Sequence, residues 1–303
     1  MLTILSLLHA VMGRSHSTRR LWRALRIEQV GRNWLRWTIL PHERARLDDI
    51  TVLIAVRNRS DYRLANALSS VRAQTYPAKL VTIIVVDYGS EPASMRETAA
   101  LCRANGASYV RIEASVWSRS RSMNVGIRQT TTKYLLIADA DIIFSPRYLA
   151  DSVAALRSSP LSVIYAPMHD LPEETTEVVK GAAGMNGDRD LALWKSWCSP
   201  RCGWAFHPSI AFTFTAYFQC IRGFDEFYEI YGAEDMDLSR RFAYLGLEPK
   251  LLNFDSFYLH QWHPKFEGIP DGEHNTQIER NRVYHGQTYS IVRNNRQWGH
   301  GIR

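Results

Sequence analysis

Apolar residues fall in short continuous runs, and the stretches between them carry helical spacing. Residues 51–56, 81–86, 109–112, 134–138, 161–166 and 211–216 have the length and β-branched content of buried strands. Helices are predicted between them, from a Ser60 cap to about residue 73, then over 95–104, 118–129 and 146–157. A strong helix over 234–245 and short strands over 250–253 and 257–260 follow. Strands alternating with helices of this length predict a mostly parallel sheet with helices on both faces. Ligands bind such sheets at the carboxyl ends of the strands. Asn58, Asp87 and Asp139 all fall just past strand ends, which points to one site. Residues 173–204 break the pattern with a polar, Gly-containing stretch bearing Trp194, Trp197 and Trp204, and a loop of that length is usually functional or mobile. The chain after Pro264 is polar and weakly patterned.

Within the run 134–144, two carboxylates, Asp139 and Asp141, interrupt apolar sequence. Ionised carboxylates are costly there unless they are paired or hold a metal. Side chains alternate with a period of two along a strand, so the pair is expected to point the same way and suit a hard divalent cation shared with substrate phosphates. The plainer alternative is a strand-to-turn corner with Asp as turn former.

Charge divides the chain sharply. Residues 1–47 carry nine Arg and only Glu28 and Glu43, a net of +7, so the other 256 residues sum to zero. In this arm Ile27, Val30, Trp34 and Trp37 fall at helical spacing among Arg23, Arg26, Arg32 and Arg36. A basic amphipathic helix can lie on an anionic membrane surface. The alternatives are a helix packed on the protein body, a transit peptide, or a nucleic-acid contact. The apolar start, residues 1–12, is too short to span a bilayer. Four scattered cysteines exclude a disulfide scaffold and leave reduced thiols in a cytoplasmic compartment as the expectation, with peripheral membrane contact through the arm. The 46% apolar content supplies an ample core.

Six motifs recur in order: Val56-Arg57-Asn58-Arg59, Asp87-Tyr88-Gly89-Ser90, Trp117 to Gly126 with Arg119, Arg121 and Asn124, the Asp139-Ala140-Asp141 pair, Gly223-Phe224-Asp225-Glu226 followed by Tyr231-Gly232-Ala233-Glu234-Asp235-Met236-Asp237, and His260-Gln261-Trp262-His263. With them the chain resembles the inverting nucleotide-sugar glycosyltransferases of the GT-A fold, family 2 in particular. It is also similar to the β1,4-galactosyltransferases and to chondroitin polymerase-type domains over roughly residues 50–265. The resemblance implies a Rossmann-like nucleotide-sugar-binding sheet with an acceptor-side subregion: a nucleotide-binding half over 48–145, an acceptor half over 146–265, and a tail over 266–303.

It further implies donor contacts from Arg57, Arg59, Asp87, Arg119, Asn124 and Asp139. Asp141 and Asp139 would bind Mn²⁺ or Mg²⁺ with one histidine, His260 before His263, because residues three apart at a strand end need not face together. Asp235 would be the general base, Glu234 would bind acceptor hydroxyls, and Tyr231 and Trp204 would line the acceptor side. The expected partners are a nucleotide-sugar donor, UDP-linked, and a glycan hydroxyl acceptor. A protein side chain or a hydroxymethylated DNA base as acceptor, and a non-catalytic nucleotide-sugar-binding protein, are the alternatives. The stretch Ser209-Ile210-Ala211-Phe212 stands where galactosyltransferases carry a Gly-Gly stretch, so donor-sugar selection is the least transferable property.

Overall fold

The computed structural model describes residues 27–181, 191–200, 208–264 and 273–300. The chain enters through helix α1 (Ile27–Trp34), a π turn (Leu35–Ile39) and α2 (Leu40–Ala45). Strand β1 (Ile50–Val56) is buried at every position. Helix α3 (Tyr62–Arg72) follows, capped by Asp61, one residue later than the predicted Ser60, through a bond from Arg63 N. Strand β2 (Val81–Tyr88), helix α4 (Pro92–Ala104), β3 (Ser108–Ile112) and α5 (Arg119–Gln129) continue the alternation. Ser118 caps α5 by accepting from Arg121 N at 3.2 Å.

The long apolar run 134–144 is two strands and not one. β4 (Tyr134–Asp139) ends in a turn at Ala140–Asp141, and β5 (Ile142–Phe144) leaves for a second sheet. Helix α6 (Tyr148–Ser158), β6 (Ser162–Tyr165) and β7 (Met168–Asp170) follow, then α7 (Thr176–Gly181), α8 (Leu191–Trp197) and β8 (Ser199–Pro200). The predicted strand over 211–216 is half right. β9 (Ala211–Phe214) turns directly into α9 (Thr215–Cys220). Helix α10 (Glu234–Leu245), β10 (Glu248–Leu251), β11 (Tyr258–His260) and α11 (Glu273–Gln287) complete the described elements.

The large sheet runs β10-β6-β9-β4-β1-β2-β3, all parallel except β9, and the small one runs β5-β11-β7-β8. Because β9 pairs with β4, the two expected halves share one continuous sheet. Helix α5 lies across β1 and β2 so closely that a Cβ on Gly126 would stand 2.1 Å from Leu53 Cδ1. Gly is the residue that permits this approach.

The C-terminal segment, polar in sequence, is built into the fold by ion pairs. Arg293, its side chain 2% exposed, reaches Asp225 Oδ2 at 3.2 Å and Asp237 Oδ1 at 2.8 Å. Asp237 also accepts from Arg241 Nε at 2.7 Å. Burial acts to raise Asp237, but Arg241, Arg293 and Arg240 outweigh it and hold the carboxyl below the usual range. Removing one partner from such a cluster leaves a buried charge under-compensated. Arg293→Ala is therefore expected to cost about 3 kcal/mol of stability, read from the urea midpoint; an unchanged midpoint would show that the segment is not part of the cooperative unit.

Candidate active site

Asn58, Asp87 and Asp139 fall at or just past the ends of β1, β2 and β4, at the carboxyl edge of the large sheet. After β1, Asn58 adopts φ +51°. Its backbone N–H donates to Ser90 Oγ at 2.8 Å and its Oδ1 accepts from Glu91 N at 2.7 Å, which ties the β1 turn to the β2 turn. Arg57 donates to Ser115 O at 2.8 Å. Asp87 is fully buried. It accepts from Ser90 N at 3.0 Å, Arg111 Nη1 at 2.9 Å and Tyr109 OH at 2.6 Å. These bonds tie Asp87 to the β2 turn and to β3. Burial and the Asp87 carboxylate both push the Tyr109 phenol up, so it stays a donor. Asn124 is also held by bonds within the chain. It is fully buried, donates to Phe224 O at 2.9 Å and Glu226 Oε1 at 3.0 Å, and accepts from Phe224 N, so it fixes the Gly223-Phe224 turn.

Asp139 and Asp141 have different neighbours in the structure. The period-two rule holds along a strand, and the chain turns between them. Asp139 accepts from Arg119 Nε at 2.7 Å. Asp141 instead joins His260 and His263, with all three ligand atoms within 4.8 Å of one another. His263 Nε2 lies 3.4 Å and His260 Nε2 4.0 Å from Asp141 Oδ2, and Arg59 Nη1 stands 3.9 Å from the same oxygen. Both histidines are in reach, not one, because the strand ends at His260 and the bond from Gln261 N to Asp141 O (2.9 Å) folds the next residues back over the site.

The donor set fits a divalent cation. His260 Nδ1 lies 2.9 Å from Asp170 Oδ1, and His263 Nδ1 lies 2.8 Å from Pro264 O. The Pro264 carbonyl can only accept, which leaves His263 Nε2 toward Asp141, and the Asp170 carboxylate stands beside His260 Nδ1. Asp141 Oδ1 is buried without a hydrogen-bond partner, an arrangement that a cation would satisfy.

Arg119 connects this edge to the acceptor side. Besides Asp139 it donates to Ser209 O at 2.8 Å, and its guanidinium lies 5.3 Å from the Phe224 ring centroid. Burial acts against its charge, but Asp139, Glu234 and Asp235 hold it protonated. Its Nη1 is buried and unpartnered, a donor poised for an oxygen from outside the chain. Glu234 lines a small cavity with Arg119, Ser120, Tyr228, Glu229, Ile230 and Tyr231. Burial and the adjacent Asp235 carboxylate push Glu234 up to about 7, against the pull of Arg119. Tyr231 is 55% exposed beside it. Trp204 lies outside the described residues.

Three further residues belong to the site. Asp170 sits opposite His260 in the register of β7 and β11. Arg111 sits opposite Asp87 in that of β2 and β3. Asn281, fully buried on α11, donates to both Glu229 O (3.0 Å) and Tyr231 O (2.9 Å). Pairing the predicted strands 81–86 and 109–112 in parallel would have brought out Arg111; nothing local marks the other two.

Residues 51–203 match the family model for glycosyl transferase family 2, and residues 202–264 match that described as N-terminal domain of galactosyltransferase. No curated protein matches the chain. Among solved structures it is similar to TarS of S. aureus, at 17% identity and a TM-score of 0.51 over 72% of this chain and 38% of that one. TarS 1–349 aligns at 18% identity and 0.51, over 70% of this chain and 60% of that one. TarS 1–349 in complex with UDP aligns at 15% and 0.52, over 78% and 71%. The chain thus spans 38% of the TarS chain, and at these identities the likeness establishes the GT-A fold. With about half its length matched by the family model, from the first strand past the turn that holds Asp141, the chain belongs to glycosyl transferase family 2.

Proposed function

We propose that the protein is an inverting, metal-assisted transferase that moves a sugar from a UDP-linked donor to a glycan hydroxyl. The observation that carries this reading is the presence of two unlike clusters, one that suits a cation and one that suits an acid–base role beside Arg119. One is the Asp141–His260–His263 cation site and the other is the Glu234–Asp235 carboxylate pair. The UDP complex of a structural neighbour supports the choice of donor. A divalent cation held by Asp141, His260 and His263 would neutralise the diphosphate and ease its departure. Arg119, through its unpartnered Nη1, and Arg59 bind the phosphate oxygens where negative charge grows as the bond breaks. The exposed Tyr231 ring offers a face for the acceptor sugar. Asp235 takes the proton from the acceptor hydroxyl as that oxygen bonds to the anomeric carbon and the bond from that carbon to the diphosphate oxygen breaks. A single displacement of this kind inverts the centre and needs no covalent intermediate. Glu234, uncharged below about 7, can donate to a second acceptor hydroxyl.

A panel of nucleotide sugars with Mn²⁺ and a UDP-release assay tests the reading. Asp235→Asn is expected to lower transfer by about a thousandfold or more, with UDP affinity within about twofold of wild type. An equal loss of UDP affinity would remove Asp235 from the role of base. Asp170→Asn is expected to weaken Mn²⁺ binding by about tenfold or more, measured by calorimetry in the presence of UDP, because His260 loses the carboxylate that orients it. Unchanged Mn²⁺ affinity would detach Asp170 from the cation site.

Glu234 also sets a pH signature. Its folded value lies above its ordinary one, so folding favours the protonated form, and stability is lost as pH rises from about 4.5 to about 7. Glu234→Gln, which cannot ionise, is expected to be more stable than wild type by about 1–2 kcal/mol at pH 8, allowing for its partial exposure, and equal to it near pH 4. A difference independent of pH would show that Glu234 titrates normally.

A further inference from the structure

The helical segment 27–45 has two unlike faces. Inward, Leu35 and Leu40 are buried and Trp34 packs on the core. Gly31 passes under Leu245, where a Cβ would stand 2.4 Å from the carbonyl oxygen. Arg32 pairs with Glu248, and Arg46 with Glu43 at 3.1 Å. Outward, Trp37 is 83% exposed and Val30 41%, and Leu47, two residues past the last helix, is 75% exposed. Arg36 and Arg44 are exposed beside them, and among the described residues no carboxylate pairs with either. The sequence upstream adds Arg14, Arg19, Arg20, Arg23 and Arg26 with no acidic residue, while the body from Asp48 onward is neutral.

We propose that this outward face docks on an anionic lipid surface, Trp37 and Leu47 entering the headgroup region and Arg36 and Arg44 meeting lipid phosphates. An indole so exposed is costly in water and favourable at a bilayer interface, where its apolar ring and polar N–H are both accommodated. Unpaired arginines on the same segment add an attraction that depends on negative lipid and on ionic strength. Nucleic acid would satisfy the arginines through its phosphates but gives the exposed Trp37 and Leu47 no apolar medium to enter.

The geometry also sets the direction in which the bound protein faces. The segment leads straight into β1, and Lys133, just ahead of β4, donates to Arg46 O and Asp48 Oδ1. It therefore lies at the amino edge of the large sheet, while Asp141 and Arg119 lie at the carboxyl edge. The seven residues of β1 separate the two edges by about 20 Å. The cleft is thus clear of the docked surface.

The test is co-sedimentation of the full chain with vesicles of phosphatidylcholine alone and of phosphatidylcholine with phosphatidylglycerol, over a salt series. Binding is expected only to the anionic vesicles, falling as salt rises, with UDP affinity unchanged in the bound state. Trp37→Ala is expected to weaken partitioning several-fold, and R36Q with R44Q by about twentyfold, at unchanged thermal stability. The proposal is overturned by equal binding to neutral vesicles, by wild-type partitioning of both variants, or by duplex DNA binding in place of vesicle binding.

Discussion

A single buried cation, Arg119, sets the geometry of the whole site. Its guanidinium bonds Asp139 at the end of β4 and the Ser209 carbonyl ahead of β9, and the carboxylates that open α10 help to hold it charged. A guanidinium taken out of water costs several kcal/mol unless its surroundings are negative. Those negative groups come from elements far apart in the chain, so the cation is satisfied only when both sides of the cleft have closed around it. The same arrangement leaves one N–H without a protein acceptor. Such a donor is disfavoured in a finished fold and useful in a site that receives phosphate.

The strands and helices that face the core were legible because burial writes itself as periodicity. Residues 51–56, 81–86 and 134–138 needed nothing more than their apolar character. What the pattern hid were changes of direction within apolar sequence. The run 134–144 looks uniform, yet it turns at Ala140–Asp141 and crosses into another sheet. That turn separates the roles of Asp139 and Asp141 and brings Asp141 to two histidines. Likewise 211–216 is equally apolar as strand and as helix, and only its tertiary partners decide where one becomes the other.

A second class of residues was silent because polar groups can be buried by pairing with each other. Asp225, Asp237, Arg241 and Arg293 form such a set, so the segment around Arg293 carries no hydrophobic signature although its guanidinium is buried. Asp170 and Asn281 belong to the same class, since each acts through a partner about fifty or more positions away. Asp170 stands beside His260 Nδ1 on the neighbouring strand. Asn281 bridges two carbonyls across Ile230, whose φ of +61° is unusual for a β-branched residue. The Ile230 N–H is in turn held by Trp117 O at 2.8 Å. The loop that presents Tyr231 is therefore strained and fixed from both sides, as backbone strain at a site requires.

Helix α10 brings opposite demands together at its two ends. At its N-terminus, Ala233 at φ +71° leads into Glu234 and Asp235, whose mutual repulsion is eased by the positive helix end and by Arg119. At its C-terminus, Gly246 at φ +93° lets the helix stop against α1, where Gly31 allows the two backbones to touch. A helix carrying two adjacent carboxylates at one end is a poor candidate to hold its own position. The packing of α1 against the far end supplies that restraint from a region that makes no contribution to the cleft. The basic segment thus has a structural reason to be helical over its inner face that is independent of what its outer face meets, and this leaves Arg36 and Trp37 available without weakening the site.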